Sequence, residues 1–368
     1  MLASPELCLG AAAELPPADV GACSSAVQRV NPLEEPGWDD KLKSYSSASF
    51  FHSTAWARVL QDSYGYSPVY FTLDESGRLA CLLAIMEVKS WLTGRRGISL
   101  PFTDDCEPVG LDAVAFGRVF QEAVAYAKAR GWKYLECRGG KSLLTGALVS
   151  TGYYGHHLRL TTSDELLYSG FKSSVRRAIR KATKMGVMVE FAQNLEAVRT
   201  FYALQCQTRR KHGLPPQPFR FFENIHSQIL SKDLGVLAVA RYQHTPVAAA
   251  IFFHWGSKAI FKYGASDESY QHLRGNNLVM WEAIKWHARN RFELLHFGRT
   301  SLSNHGLQRF KLGWGAEESM IEYVRYDLCR DSFVTAKDEA SGWQNRVFHR
   351  LPGFASRLVG AMLYEHVA

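Results

Sequence analysis

The chain predicts an α+β protein built as two similar halves. Three observations carry that expectation. At 368 residues it is long enough for two compact domains of about 100–200 residues each. Hydrophobic residues make up 46% and charged residues 21%, an ordinary globular balance that excludes a largely disordered or collagen-like chain. The order strand, turn, strand, helix, strand occurs once in the first half and again in the second, which marks an internal duplication.

The elements follow in order. Residues 1–28 are rich in Ala, Ser and Pro and lack periodicity, so they read as a poorly ordered lead. The first domain spans 29–162. In it, Pro68–Leu73, a turn at Asp74–Gly77 and Leu79–Met86 predict strand, turn, strand. Ala113–Arg130 predicts a helix with Phe116, Phe120, Ala123 and Ala127 on one face and Gly131 as its stop, and Trp132–Arg138 is the strand after it. The second domain, 163–329, begins with a basic linker helix over 163–186, capped by Ser163 or Asp164. Val236–Tyr242, a turn at Gln243–Pro246, Val247–Phe253 and Ser257–Tyr263 repeat the hairpin and extend it. Asn277–Asn290 is a helix with Leu278, Trp281, Ile284 and Ala288 inward, and Phe292–Phe297 is the closing strand. Residues 330–368 form a tail with a helical segment.

Charge narrows the partners. Forty-three Lys+Arg against 35 Asp+Glu leave a formal net charge of +8, which favours phosphates, nucleic acid or an anionic membrane surface. Seven scattered cysteines without a CxxC pair support neither a disulfide framework nor a zinc ribbon. The N-terminus lacks a basic n-region, and the longest apolar run, Val247–Trp255, is about half of what a spanning helix needs. A cytoplasmic protein, at most resting on the inner face of the membrane, is the expectation.

Several ordered motifs then point to one family. They are Phe51–Trp56 with Ser63–Tyr66 and Ser99–Asp104, the basic segment Phe171–Gly186, the run Phe297–Ser301 with Gly306 and Phe310–Ala316, and the Leu351-Pro-Gly tail. Over about residues 30–360 the chain resembles FemAB-like proteins, in the branch found beside exosortase and exopolysaccharide loci. The resemblance implies two tandem GNAT-like domains of α/β type, each a mostly antiparallel mixed sheet flanked by helices. It also implies an acyltransferase. The best-known members move amino acids from aminoacyl-tRNA to the peptide amine of a peptidoglycan precursor. One departure matters. GNAT enzymes using acyl-CoA cradle the pyrophosphate on a Q/R-x-x-G-x-G/A loop at a helix start. Here the nearest segment, Gln271–Asn276, has Arg274 at the first glycine position. The donor is either acyl-CoA bound in a degenerate way or aminoacyl-tRNA, and no tightly bound cofactor is expected.

Candidate site residues fall in four places. Lys172, Arg176, Arg180 and Lys184 recur every four residues as one stripe, flanked by Arg177 and Lys181, over an apolar face of Val175, Ala178, Ile179, Ala182 and Met185. Like charges at this spacing disfavour an isolated helix by a few tenths of a kcal/mol per pair, so a bound anion explains them, with Arg177 and Arg180 as the phosphate contacts; a solvated face is the plain alternative. The loop after Phe297 brings Arg299 and Lys311 together. Arg299 suits a carboxylate or phosphate. The match to the family's Phe-Lys motif makes Lys311 the cation for a tetrahedral oxyanion or a phosphate clamp, against the plainer reading of a surface lysine. Asp104 and Asp105 suit proton acceptance from an attacking ammonium, or a purely structural turn. Tyr263, His305 and Phe310 complete the substrate-binding set. Arg209–Pro216 is a basic helix end that needs no ligand.

Competing chemistries fail on spacing: no HExxH, GxSxG, P-loop or Rossmann fingerprint occurs. No metal is expected, and His156 and His157 lack a nearby partner at metal spacing. Trp343, Phe348, Leu351, Phe354, Leu358 and Leu363, with Arg346, Arg350 and Arg357 between, suit peripheral membrane contact, although packing against the second domain is the plainer reading. The expected function is N-acyl transfer from an activated donor to a primary amine of a cell-envelope or polysaccharide precursor. The substrate is phosphate-bearing, small or lipid-linked, tRNA is a candidate partner, and no protein partner is inferable. The alternatives are an acyl-CoA-dependent N-acetyltransferase for exopolysaccharide sugar amines and a non-catalytic RNA- or polysaccharide-binding module.

Overall fold

The computed structural model describes residues 26–110, 112–335 and 353–366. Most of the expected lead, Cys8, Cys23 and the tail motif with Trp343, Phe348 and Leu351 lie outside the described residues. The first half runs β1 (Gln28–Val30), α1 (Trp38–Lys43), α2 (Thr54–Tyr64), β2 (Ser67–Glu75), β3 (Arg78–Ser90), β4 (Gly94–Ile98), α3 (Ala113–Ala129), β5 (Tyr134–Cys137) and β6 (Val149–Arg159). Two helices follow, α4 (Asp164–Gly170) and α5 (Ser173–Lys184). The second half runs β7 (Met188–Ala192), α6 (Leu195–Lys211), α7 (Phe219–Gln228), β8 (Gly235–Tyr242), β9 (Thr245–Trp255), β10 (Lys258–Ser266), α8 (Gly275–Arg289), β11 (Leu294–His296), β12 (Thr300–Ser301), α9 (His305–Leu312), β13 (Glu317–Asp327) and β14 (Ser332–Val334). The helix α10 (Gly353–Leu363) lies in the last described segment.

Among the described residues one 14-stranded sheet runs through the molecule, in the order β1-β2-β3-β4-β5-β13-β6-β11-β10-β9-β8-β7, with β12 paired to β6 and β14 to β13 beside this path. The order is a palindrome in kind. Each half is antiparallel except at one parallel pair, β4 with β5 and β10 with β11. The last strand of each half is exchanged: β13 pairs with β5, and β6 pairs with β11. The sheet therefore runs unbroken across residues 162 and 163. The expected repeat is present, while β4, β6 and β13 escaped the sequence reading. Gly and polar residues break the alternation of β4 and β6, and β13 opens on four exposed residues.

The linker is not one helix. Ser163 caps α4 by accepting the Leu166 N–H, but the chain extends at Phe171. Its ring is buried against Trp281 and Trp314, at centroid distances of 5.3 and 5.0 Å, and Lys172 N–H donates to Gly313 O at 2.9 Å. Burying that ring outweighs helical continuity, because the linker hydrogen bonds are replaced by tertiary ones. On α5, Val175, Ile179 and Ala182 are buried as expected, whereas Met185 is exposed. Between the halves, α2 and α7 share one core, with Trp56 on Phe221 at 6.0 Å and Phe50 on Phe253 at 4.7 Å.

Candidate active site

The site lies where two parallel strands part. β10 and β11 pair only from Lys258 to Ile260. Beyond that, β10 follows β9 through a bulge at Phe261–Tyr263, and β11 ends at His296. Gly298 turns the chain with φ 71°, and a Cβ there would stand 3.4 Å from the Asp104 carboxyl and from Phe261 O. The left-handed φ is what favours glycine here, since the Cβ contacts would be ordinary van der Waals ones.

Into this wedge six segments deliver a buried polar cluster. Lys262 Nζ pairs with Asp104 Oδ2 at 2.8 Å, their side chains only 5% and 14% exposed. Lys311 is buried and donates to Gly298 O at 2.7 Å and Arg299 O at 3.0 Å. Arg299 donates to Tyr323 Oη at 2.6 Å and lies 4.4 Å over the Tyr153 ring. Tyr323 in turn donates to Asp104 O at 2.8 Å. Lys311 is thus no surface lysine. It meets Arg299 through the backbone, while the Arg299 side chain turns to the exchanged strands.

Adjacent carboxyls are sorted apart. Burial would raise Asp104, but the Lys262 ammonium, with Arg299 and His296 behind it, overrides this and holds the carboxyl below its usual range. Asp105 has no such partner. Burial first, then the negative charges of Glu107 and Asp104, push it up to about 8. Burial pushes Lys311 down to about 8, the like charge of Lys262 adding to it against the pull of Asp104. His296 accepts the Gly298 N–H on Nδ1 at 3.0 Å, so its Nε2 carries the proton. That atom is buried without a hydrogen-bond partner beside a cavity of about 420 Å³ that Asp105, Glu107 and His157 also line.

The Asp105 shift has a stability sign. The folded chain keeps this proton up to about pH 8, while an unfolded aspartate releases it near its ordinary 3.8. The contribution is full below about pH 4 and is lost as pH rises toward 8. The apparent Tm should fall by about 2–4 °C from about pH 6 to about pH 8, and Asp105→Asn should flatten that fall. Parallel slopes for both proteins in a thermal-unfolding series would contradict the assignment.

A groove runs from the wedge across the second half. Its inner part, about 350 Å³, is lined by Phe261, Gly264, Ser266, Lys211 and Phe310. Through Ser266, Gln271 and Asn276 it joins a small cradle at the start of α8, and through Arg274 and Asn277 a basic cleft of about 510 Å³. Arg177, Lys181, Arg274 and Arg309 line this cleft. Arg274 adopts φ 63°, the left-handed conformation expected of the missing glycine. The turn into α8 is therefore kept, with a cation added.

Of the expected site residues, the structure gathers Lys311, Arg299 and Asp104 in the wedge, Asp105 beside it, and Arg177 and Phe310 in the groove. Lys172, Arg176 and Arg180 sit on other faces of α5 and do not line the cleft. Tyr263 packs in the aromatic core between the halves with Phe221, Phe222 and Phe253. His305 is exposed in the first turn of α9. His156 does have a carboxylate partner, Glu318 at 3.0 Å, brought by β13. No group of three or more potential metal ligands occurs among the described residues. Lys262, Tyr153 and Tyr323 went unrecognised, because nothing local distinguishes them from strand residues.

A parallel strand pair at the matching place of two similar halves, β4 with β5 and β10 with β11, gives the sheet a tandem GNAT-like fold. Residues 169–318 match the acetyltransferase (GNAT) domain family, so the chain carries a GNAT-type acyltransferase domain. The fold is similar to that of FemX, at 15% identity and TM-score 0.63 over 80% of this chain and 96% of that one. It is also similar to the C-terminal domain of a putative lysylphosphatidylglycerol synthetase from Agrobacterium fabrum, at 15% identity and TM-score 0.51 over 84% and 92%. L-PGS from Bacillus licheniformis follows at 12% and 0.52 over 89% and 96%. No curated protein matches the sequence.

Proposed function

We propose that the chain transfers an aminoacyl group from aminoacyl-tRNA to a primary amine of a cell-envelope or polysaccharide precursor. The observation that carries this reading is the basic cleft at the outer end of the groove. A lone pyrophosphate needs only the backbone N–H groups of a helix start. Four cations spread over α5, α8 and α9 suit a longer polyanion whose phosphates continue past the helix. One structural neighbour is named as a lysylphosphatidylglycerol synthetase, which fits aminoacyl transfer. The left-handed turn into α8 favours a second reading, acyl-CoA as donor.

In either case the amine nitrogen attacks the acyl carbon, an oxyanion forms, and the donor's oxygen or sulfur leaves. The β10 bulge frees a backbone group beside the wedge, and the Lys311 ammonium supports the loop facing it. Only Asp105, of the two adjacent carboxyls, is poised to exchange a proton near neutral pH. The test is to offer charged tRNA and acyl-CoA separately with envelope amines and measure which loses its acyl group. Arg177→Glu with Arg274→Glu should raise the KM for the true donor by at least about tenfold and flatten its salt dependence. An unchanged KM for both donors would remove the cleft from the reaction.

A further inference from the structure

We propose that the β3–β4 turn and the outer face of α10 together form a docking surface for an anionic lipid bilayer. The turn is Trp91–Thr93. Ser90 Oγ accepts the N–H groups of Leu92 and Thr93, at 3.2 and 2.9 Å, and so fixes a tip on which Trp91 is 86% and Leu92 56% exposed. The helix α10 is seated by its small residues. A Cβ on Gly360 would stand 2.0 Å from Pro216 O, and Ser356 on the same face is buried. Its opposite face presents Leu358 and Met362, 59% and 61% exposed and one turn apart. Tip and helix are one surface. Arg96 and Thr93 both donate to His366 O, at 2.7 and 3.1 Å, and the Trp91 ring meets His366 at 5.4 Å.

Charge selects the occupant. Exposed Lys89 and Arg95 flank the tip. Beside α10 a cavity of about 630 Å³ is lined by Arg199, Arg210 and Arg357, three cations around a space fit for a phosphate headgroup. Glu365 is the exposed acid at this face, and Glu87 is buried between Lys89 and Arg130. An indole and a leucine on a narrow convex turn enter the headgroup region with little distortion, and the cations meet anionic lipid around them. A protein partner would need a matching cavity for the tip. Sequence alone pointed only to the tail; the turn, 260 residues or more away in the chain, is supplied by the fold.

The surface adjoins the groove. Thr208, Lys211 and His212 line the groove, and the continuing segment holds the tail through Arg209 and Pro215 on the Tyr364 hydroxyl. A lipid-carried amine would therefore reach the groove from the bilayer side, a consequence that rests on the transfer reading above, whereas the docking does not.

The test is co-sedimentation of the full chain with sucrose-loaded vesicles, either equimolar phosphatidylcholine and phosphatidylglycerol or phosphatidylcholine alone. Binding should favour the anionic vesicles by at least about tenfold. Trp91→Ala with Leu92→Ala should lower it by at least about tenfold, as should Leu358→Asp with Met362→Asp. Arg199→Glu with Arg210→Glu should abolish the lipid preference. The proposal is overturned by absent wild-type binding to anionic vesicles, by undiminished binding of both apolar variants, or by a dimer that the tip variant turns into monomer. Because these side chains are exposed, loss of vesicle binding leaves acyl transfer from a soluble amine intact, so the two readings fail separately.

Discussion

Lys311→Met should lower turnover by about 10²–10³, with donor binding changed far less. The ammonium holds Gly298 O and Arg299 O, the two carbonyls that shape the loop facing the parted strands. Methionine keeps the length and removes both bonds, leaving buried acceptors that cost about 1–3 kcal/mol each. A thermal shift must therefore accompany the kinetic loss. The two roles separate by pH. Since Lys311 is held at about 8, wild-type turnover should decline as pH rises through that value, and the variant should lack that limb. The stability sign is opposite. Between about 8 and the ordinary 10.5 an unfolded lysine holds a proton that the folded one has released, so this group's contribution to stability rises with pH across that window. A variant profile with the same alkaline limb would assign that limb elsewhere.

Asp104→Ala should cost about 3–5 kcal/mol of folding stability. It strands the Lys262 ammonium among Phe51 and Tyr263, whose rings lie 5.2 and 5.4 Å away, with no other carboxylate bonded to it among the described residues. Asp104 belongs to the first half and Lys262 to the second, so the same change loosens the joint on which Tyr323 and Arg299 depend. Asp104→Ala combined with Lys262→Met should recover most of the loss, because an uncharged pair leaves no buried charge. Chemical denaturation of the single and double variants gives the coupling. Additive losses would show that the pair acts independently. The wild-type pair also fails in acid: its contribution is present above the ordinary carboxylate range and lost as pH falls through the lower folded value of Asp104.

Local pattern determined a good part of this protein. The hairpin of residues 236–253, the inward face of α8, the cap at Ser163 and the strand–helix–strand repeat are set by consecutive residues, whose periodicity reports which face is buried. The approach of Lys311 to Arg299 was legible because only 12 residues separate them in the chain. Tertiary structure alone decided the rest. Asp104 and Lys262 lie 158 residues apart, and Tyr323 reaches them only because β13 crosses to the first half. The sequence also presents Asp104 and Asp105 as equals; what separates them is that one meets a buried ammonium and the other does not. Arg274 stands at the first glycine position of the expected loop, and only its left-handed backbone shows that the turn into α8 is kept. Periodicity carries short-range burial, but pairing across an exchanged strand depends on which surfaces remain uncovered after both halves have formed, and no local signal encodes that.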